Sequence, residues 1–189
     1  MDGVMQMAEK NKYTPMMQHY LQMKKENPDA IIFYRLGDFY EMFFDDAKTA
    51  SLELDLVLTG RNAGVEEKVP MCGVPHHAAN SYIQRLIQKG YKVAIVEQVE
   101  DPALAKGLVQ REVIRIVTPG TLMDEQSDER TSSYIASVYD YQYGLCVVLC
   151  EMTTGELKAQ LMDKSVISLQ KVLLQNNVRE IVVEHQFDR

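Results

Sequence analysis

The chain has few cysteines, no long apolar run and no surplus of positive charge, and each shortage closes off a class of protein. Three cysteines in 189 residues are an odd number, which argues against a disulfide framework and fits a reducing cytoplasm. Cys146 and Cys150 lie four apart in an apolar run. On a strand they share a face, and the expectation is a pair of buried thiols. No apolar stretch approaches the roughly 20 residues of a membrane-spanning helix. The first residues show no basic segment followed by an apolar one, so neither a membrane span nor a secretion signal is expected. No Gly-x-x-x-x-Gly-Lys-Ser/Thr occurs, which excludes a P-loop from this chain. No Ser-His-Asp or Cys-His set can be assembled either. The chain is therefore expected not to be an enzyme, and to hold neither a cofactor nor a metal.

The formal net charge is −7. A protein that grips DNA through its phosphates is basic, so this number alone points away from nucleic acid. The distribution is uneven. Glu26 to Asp55 carries eight acids and two bases, whereas Arg61 to Lys92 carries five bases and two acids. A basic face on an acidic body fits these counts, and so does ordinary scattered surface charge. With 46% hydrophobic and 25% charged residues, the composition is that of a globular protein.

What the chain does have is one unusual stretch, Arg35-Leu36-Gly37-Asp38-Phe39-Tyr40-Glu41-Met42-Phe43-Phe44. The β-branched and aromatic run at 31–35 predicts a strand, and Gly37-Asp38 predicts a turn after it. In an extended segment Phe39 and Glu41, two apart, point to the same face. An aromatic beside a carboxylate suits a flat ligand that carries hydrogen-bond donors, and a nucleobase is one. A phenyl ring can wedge into a base step from the minor groove. A carboxylate can accept from a base edge but is repelled by phosphate. Taken alone, the three residues also fit a core phenylalanine beside a surface acid.

The rest of the chain reads as alternating elements. Residues 1–12 lack a clear period, and disorder is expected there. Thr14-Pro15 predicts a helix start, Thr as cap and Pro at the first helical position, and Asn27-Pro28 its end. Asp45-Asp46 opens a second helix with acids at its positive end, and Phe44, Ala47, Leu52 and Leu54 give it an apolar side. Residues 56–59 read as a short strand. The polar loop 60–68 holds Arg61, Asn62 and Lys68, candidate contacts to a nucleic-acid backbone and equally what an exposed loop contains. His76-His77 invites a metal reading, which is rejected: neighbours in a helix or strand point apart, and no ligand lies at a zinc spacing. A helix capped by Asn80, with Tyr82, Ile83, Leu86 and Ile87 on one face, ends at Gly90. Strands are predicted at 92–98 and 109–117, with a helical turn at 103–107 between them. The polar segment 123–133 predicts a linker between a domain at 13–122 and another at 134–189. Beyond it come three strands at 134–141, 144–152 and 156–162. A helix from Ser165 to Gln175 follows, with Val166, Leu169, Val172, Leu173 and Leu174 inside, then a strand at 179–184. Asp140 and Glu151, beside these strands, leave a carboxylate nuclease arguable.

Five blocks, in order, carry a resemblance: Tyr13-Thr14-Pro15-Met16, Gly37-Asp38-Phe39-Tyr40-Glu41-Met42-Phe43-Phe44-Asp45-Asp46-Ala47, Pro70-Met71-Cys72-Gly73-Val74-Pro75-His76-His77, Val93-Ala94-Ile95-Val96-Glu97-Gln98 and Arg115-Ile116-Val117-Thr118-Pro119-Gly120-Thr121. Together they resemble the N-terminal part of the bacterial MutS mismatch-repair family, from about Tyr13 to the end of the chain. The resemblance implies an α/β (α+β) fold. A mixed-sheet mismatch-recognition domain flanked by helices is followed by a truncated connector domain of ribonuclease-H-like type. It implies that Phe39 stacks on a mispaired or unpaired base and that Glu41 hydrogen-bonds to it. The implied partners are mismatched double-stranded DNA, a second MutS subunit and MutL, with ATP and Mg in the full-length parent and a nucleoid-associated place in the bacterial cytoplasm. It implies no nuclease. The reading from another class is a protein-interaction or relay module without base reading, for which a buried Phe39 would speak.

Overall fold

The computed structural model describes residues 13–100, 109–121 and 134–184. The expected disordered start, the turn at 103–107 and the linker at 123–133 lie outside them. The chain divides into two compact units, Met1–Val117 and Thr118–Arg189.

In the first unit, helix α1 (Pro15–Glu26) leads to strands β1 (Ala30–Leu36) and β2 (Phe39–Phe43). Helix α2 (Phe44–Leu54), short β3 (Thr59–Arg61) and β4 (Val69–Pro75) follow. A 3-10 turn (His76–Ala78) enters α3 (Ala79–Gln88), and β5 (Lys92–Gln98) and β6 (Arg111–Val117) complete the unit. The strands form one mixed sheet in the order β3-β4-β2-β1-β5-β6. Only β1 and β5 run parallel; the other neighbours are antiparallel. Pleat alternation sends Ile32, Tyr34 and Phe43 to one face, where Met17 and Tyr20 of α1 join them with Ala94 and Val96 in a closed core. The other face carries Cys72, whose thiol donates to the Ala47 carbonyl of α2 at 3.4 Å. The architecture is the expected mixed α/β one.

Several local expectations are corrected. Thr14 stands at the helix boundary, but its side chain makes no cap; its amide donates instead to the Ala63 carbonyl at 2.8 Å. Asp46, read as a dipole acid, is buried. It accepts from Tyr20 Oη at 2.8 Å, from the Ile32 amide at 3.0 Å and from Lys24 Nζ at 2.8 Å. Leu52, expected on the apolar side of α2, is 79% exposed. The strand expected at 56–59 begins only at Thr59, because pairing with β4 (Thr59 opposite Met71) sets its place while Val57 and Leu58 stay exposed. Asn80 is inside α3, not its cap; Ala78 precedes the helix and accepts from Ser81 Oγ at 2.9 Å.

In the second unit, β7 (Tyr134–Tyr141), β8 (Gly144–Glu151) and β9 (Leu157–Met162) form a meander. Helix α4 (Val166–Gln175) and β10 (Val178–Val183) follow. The order is β10-β7-β8-β9, with β10 parallel to β7. Ser165 Oγ caps α4 by accepting from the Ser168 amide at 3.3 Å. Leu169, Val172 and Leu173 pack on Ala136, Val138, Val147 and Leu149, at the helical spacing expected. Val166 and Leu174, also expected inside, are exposed, because α4 turns only one stripe to the sheet. Cys146 and Cys150 do share a face, but they are half-buried: it is the face opposite Leu145, Val147 and Leu149, away from that core.

Candidate nucleic-acid interface

The β1–β2 hairpin is closed by the pair Leu36 and Phe39, leaving Gly37-Asp38 as a two-residue turn. Gly37 takes φ +58°, a left-handed value that glycine adopts without a Cβ penalty. Both turn carbonyls are held. Arg35 Nε donates to the Gly37 carbonyl at 2.5 Å, and the His76 amide donates to the Asp38 carbonyl at 2.8 Å. Phe39 therefore stands at the end of a braced hairpin.

Phe39, Glu41 and Phe43 alternate onto the face that α1 covers. The cover stops short of the turn. Phe43 is fully buried, the Glu41 side chain is 17% exposed, and Phe39 is 47% exposed. A large apolar ring left out at the rim of a closed core is a surface feature that a ligand can use. Beside it, Arg61 of β3 reaches across β4, and its NH1 donates to Glu41 Oε2. Gly73 lies opposite Glu41 in register, and a Cβ there would stand in ordinary contact with Glu41 Cγ at 3.5 Å. The Arg61 guanidinium also rests 5.8 Å from the centroid of the Phe43 ring, a cation–π contact that fixes its direction.

The sequence suggested Arg61, Asn62 and Lys68 together. Of these three the structure brings only Arg61 to Glu41. Asn62 is exposed past the end of β3. The Lys68 stem lies against Gly60, where a Cβ would meet Lys68 Cβ at 2.9 Å, and Gly60 faces away from Arg61 by the strand's alternation. Lys68 also lines, with Tyr13 and Phe44, a concavity of about 760 Å³.

Behind Phe39, on the other face of the hairpin, is a charged cluster that sequence reasoning missed. Tyr40 Oη donates to Glu97 Oε1. Arg35 NH1 and His76 Nε2 stand 3.6 and 3.7 Å from the same oxygen. Burial, followed by the bond to Glu97, pushes the Tyr40 phenol well above its ordinary value. Two signals were available, the Gly37-Asp38 turn and the Val93-to-Gln98 block, but only the β1–β5 pairing places them side by side.

The family model described as MutS domain I matches residues 14–126. The chain belongs to this MutS family. It is 52% identical over 179 residues to the DNA mismatch repair protein MutS of Bacillus subtilis, covering 93% of this chain and 20% of that protein. It is 51% identical over 172 residues to the protein of the same name from Clostridium beijerinckii, covering 90% and 18%. With that of Acetivibrio thermocellus it shares 60% identity over 146 residues, covering 76% and 17%. The chain thus spans about one fifth of the length of the MutS relatives it matches.

The carboxylates of the nuclease reading are kept apart. Asp140 pairs with Lys164 Nζ at 2.5 Å, while Glu151 accepts from the Thr153 and Thr154 hydroxyls at 2.6 and 2.5 Å. In the β7–β8 ladder Asp140 faces Leu145 and Tyr134 faces Glu151, so the two acids occupy opposite ends. Among the described residues no group of three or more His, Cys, Asp or Glu could hold a metal, and no helix is long and apolar enough to cross a membrane.

Proposed function

We propose that this chain recognises mispaired or unpaired bases in double-stranded DNA, as the N-terminal part of a MutS mismatch-repair protein. Phe39 enters from the minor groove and stacks on the odd base, and Glu41 accepts a hydrogen bond from that base. The observation that carries this reading is the half-exposed Phe39 ring on a braced hairpin, with Glu41 on the same face. A ring that unstacks a base step does so at lower cost where pairing is already weak. Selection is then by deformability, and the carboxylate disfavours sites that offer only phosphate. The same exposure removes the support that a buried Phe39 would have given the interaction-module reading.

The chain contributes recognition and no catalysis; ATP and Mg act elsewhere in the full-length parent. A MutS homodimer and MutL are its proposed partners, the bacterial cytoplasm and nucleoid its place, and the second unit a ribonuclease-H-like connector. The test is fluorescence anisotropy of a full-length MutS protein carrying this chain, on matched and G·T duplexes at one salt concentration. Phe39→Ala should abolish the G·T preference without lowering the melting temperature. A folded variant that still prefers G·T would move base reading away from Phe39.

A further inference from the structure

Arg61 stood among the candidate phosphate contacts because it is a base in a polar loop. Its geometry assigns it another task. The side chain is 37% exposed, yet the guanidinium is engaged: NH1 donates to Glu41 Oε2, and the planar group lies over the Phe43 ring. Only one carboxylate oxygen is used. Among the described residues nothing donates to Glu41 Oε1, so that oxygen is left for a donor from outside. One strand, β4, separates Arg61 from Glu41 in the sheet, with Gly73 opposite Glu41 in register. A phosphate ligand would be expected to project its whole fork into solvent; here NH1 is committed to a neighbouring acid.

We infer that Arg61 is a positioning residue for Glu41. It holds one oxygen of the carboxylate, aims the other along the Phe39 face, and offsets a negative charge that would otherwise meet the DNA backbone unscreened. This rests on the base-reading role of Phe39 and Glu41 proposed above. It makes Arg61 a determinant of specificity without contact to any base, and it predicts a dependence that a phosphate contact lacks: the effect of removing Arg61 requires Glu41.

The experiment is a double-mutant cycle in the full-length protein carrying this chain. Arg61→Gln, Glu41→Gln and the double variant are titrated onto matched and G·T duplexes over a series of salt concentrations, with thermal melting of each. Arg61→Gln should lower the G·T-to-matched affinity ratio about threefold or more. In the Glu41→Gln background it should leave that ratio unchanged. The slope of log affinity against log salt should stay the same. Arg61→Lys, which keeps the charge but loses the planar fork, should fall between wild type and Arg61→Gln, and it serves as the test should Arg61→Gln melt early. Equal weakening on both duplexes in both backgrounds, with the salt slope reduced by about one, would make Arg61 a phosphate ligand and overturn the inference. No change in any background would overturn it too. A ratio untouched by Phe39→Ala and Glu41→Gln would instead overturn the base-reading role itself, a result distinct from either.

Discussion

Asp46 shows how much a single acid can organise. Its carboxylate takes hydrogen bonds from α1 (Tyr20, Lys24) and from the β1 backbone at Ile32, while its own backbone belongs to α2. Burial and this carboxylate together push the Tyr20 phenol far above its ordinary range. Removing one partner of such a buried charged set leaves the others unpaired, at a cost of about 3 kcal/mol. Asp46→Ala should therefore lower unfolding stability by about that amount, read as a shift of the urea midpoint, while Asp45→Ala next to it should do little. Asp45 is exposed and pairs with Lys48, three residues on. The sequence offers no means of telling these two adjacent acids apart, because the difference lies in Tyr20 and Lys24, 26 and 22 residues away. Phe39 and Glu41 were legible in part. Their common face follows from strand alternation alone, but the exposure of the ring depends on where the α1 cover ends, which no local pattern records. The Arg61 bond to Glu41 was equally hidden, since it depends on β4 lying between their two strands.

At the scale of elements, long periodic segments were readable and edges were not. The strand at 92–98 and the helix ending at Gly90 lie where their patterns put them. The apolar stretch at 56–59 misled because β3 is an edge strand, placed by its ladder with β4 and not by buried side chains. The turn between β8 and β9 is a different case, built by one carboxylate. Glu151 accepts from the Thr153 and Thr154 hydroxyls and from the Thr154 amide at 2.6 Å, and these donors hold its acid down to about 2 from an ordinary 4.5. A depressed carboxyl favours the folded turn fully above the ordinary value and loses that contribution as pH falls from about 4.5 towards about 2. The protection factor of the Thr154 amide, its exchange measured by NMR relative to the intrinsic rate at each pH, should thus fall progressively over that window. In Glu151→Gln its protection should be lower at neutral pH and flat across the same range.

For the molecule as a whole, the acidic balance carries weight. With a net charge of −7, little general attraction to phosphate is available, and Arg61 is already engaged with Glu41. This chain by itself should show no saturable binding to matched duplex below roughly 10 µM at 0.15 M salt, measured by anisotropy; tight sequence-independent binding would contradict that electrostatic account. There remains the bracing of the Gly37-Asp38 turn, whose two carbonyls are tied down by Arg35 and His76. A ring mounted on such a support surrenders little conformational freedom when it enters a base stack, so no ordering step stands between encounter and insertion. On the base-reading role proposed above, arrival would be similar on every duplex, and the difference between a paired and a mispaired site would be one of residence time. The hairpin would test each step it meets and stay only where the stack yields.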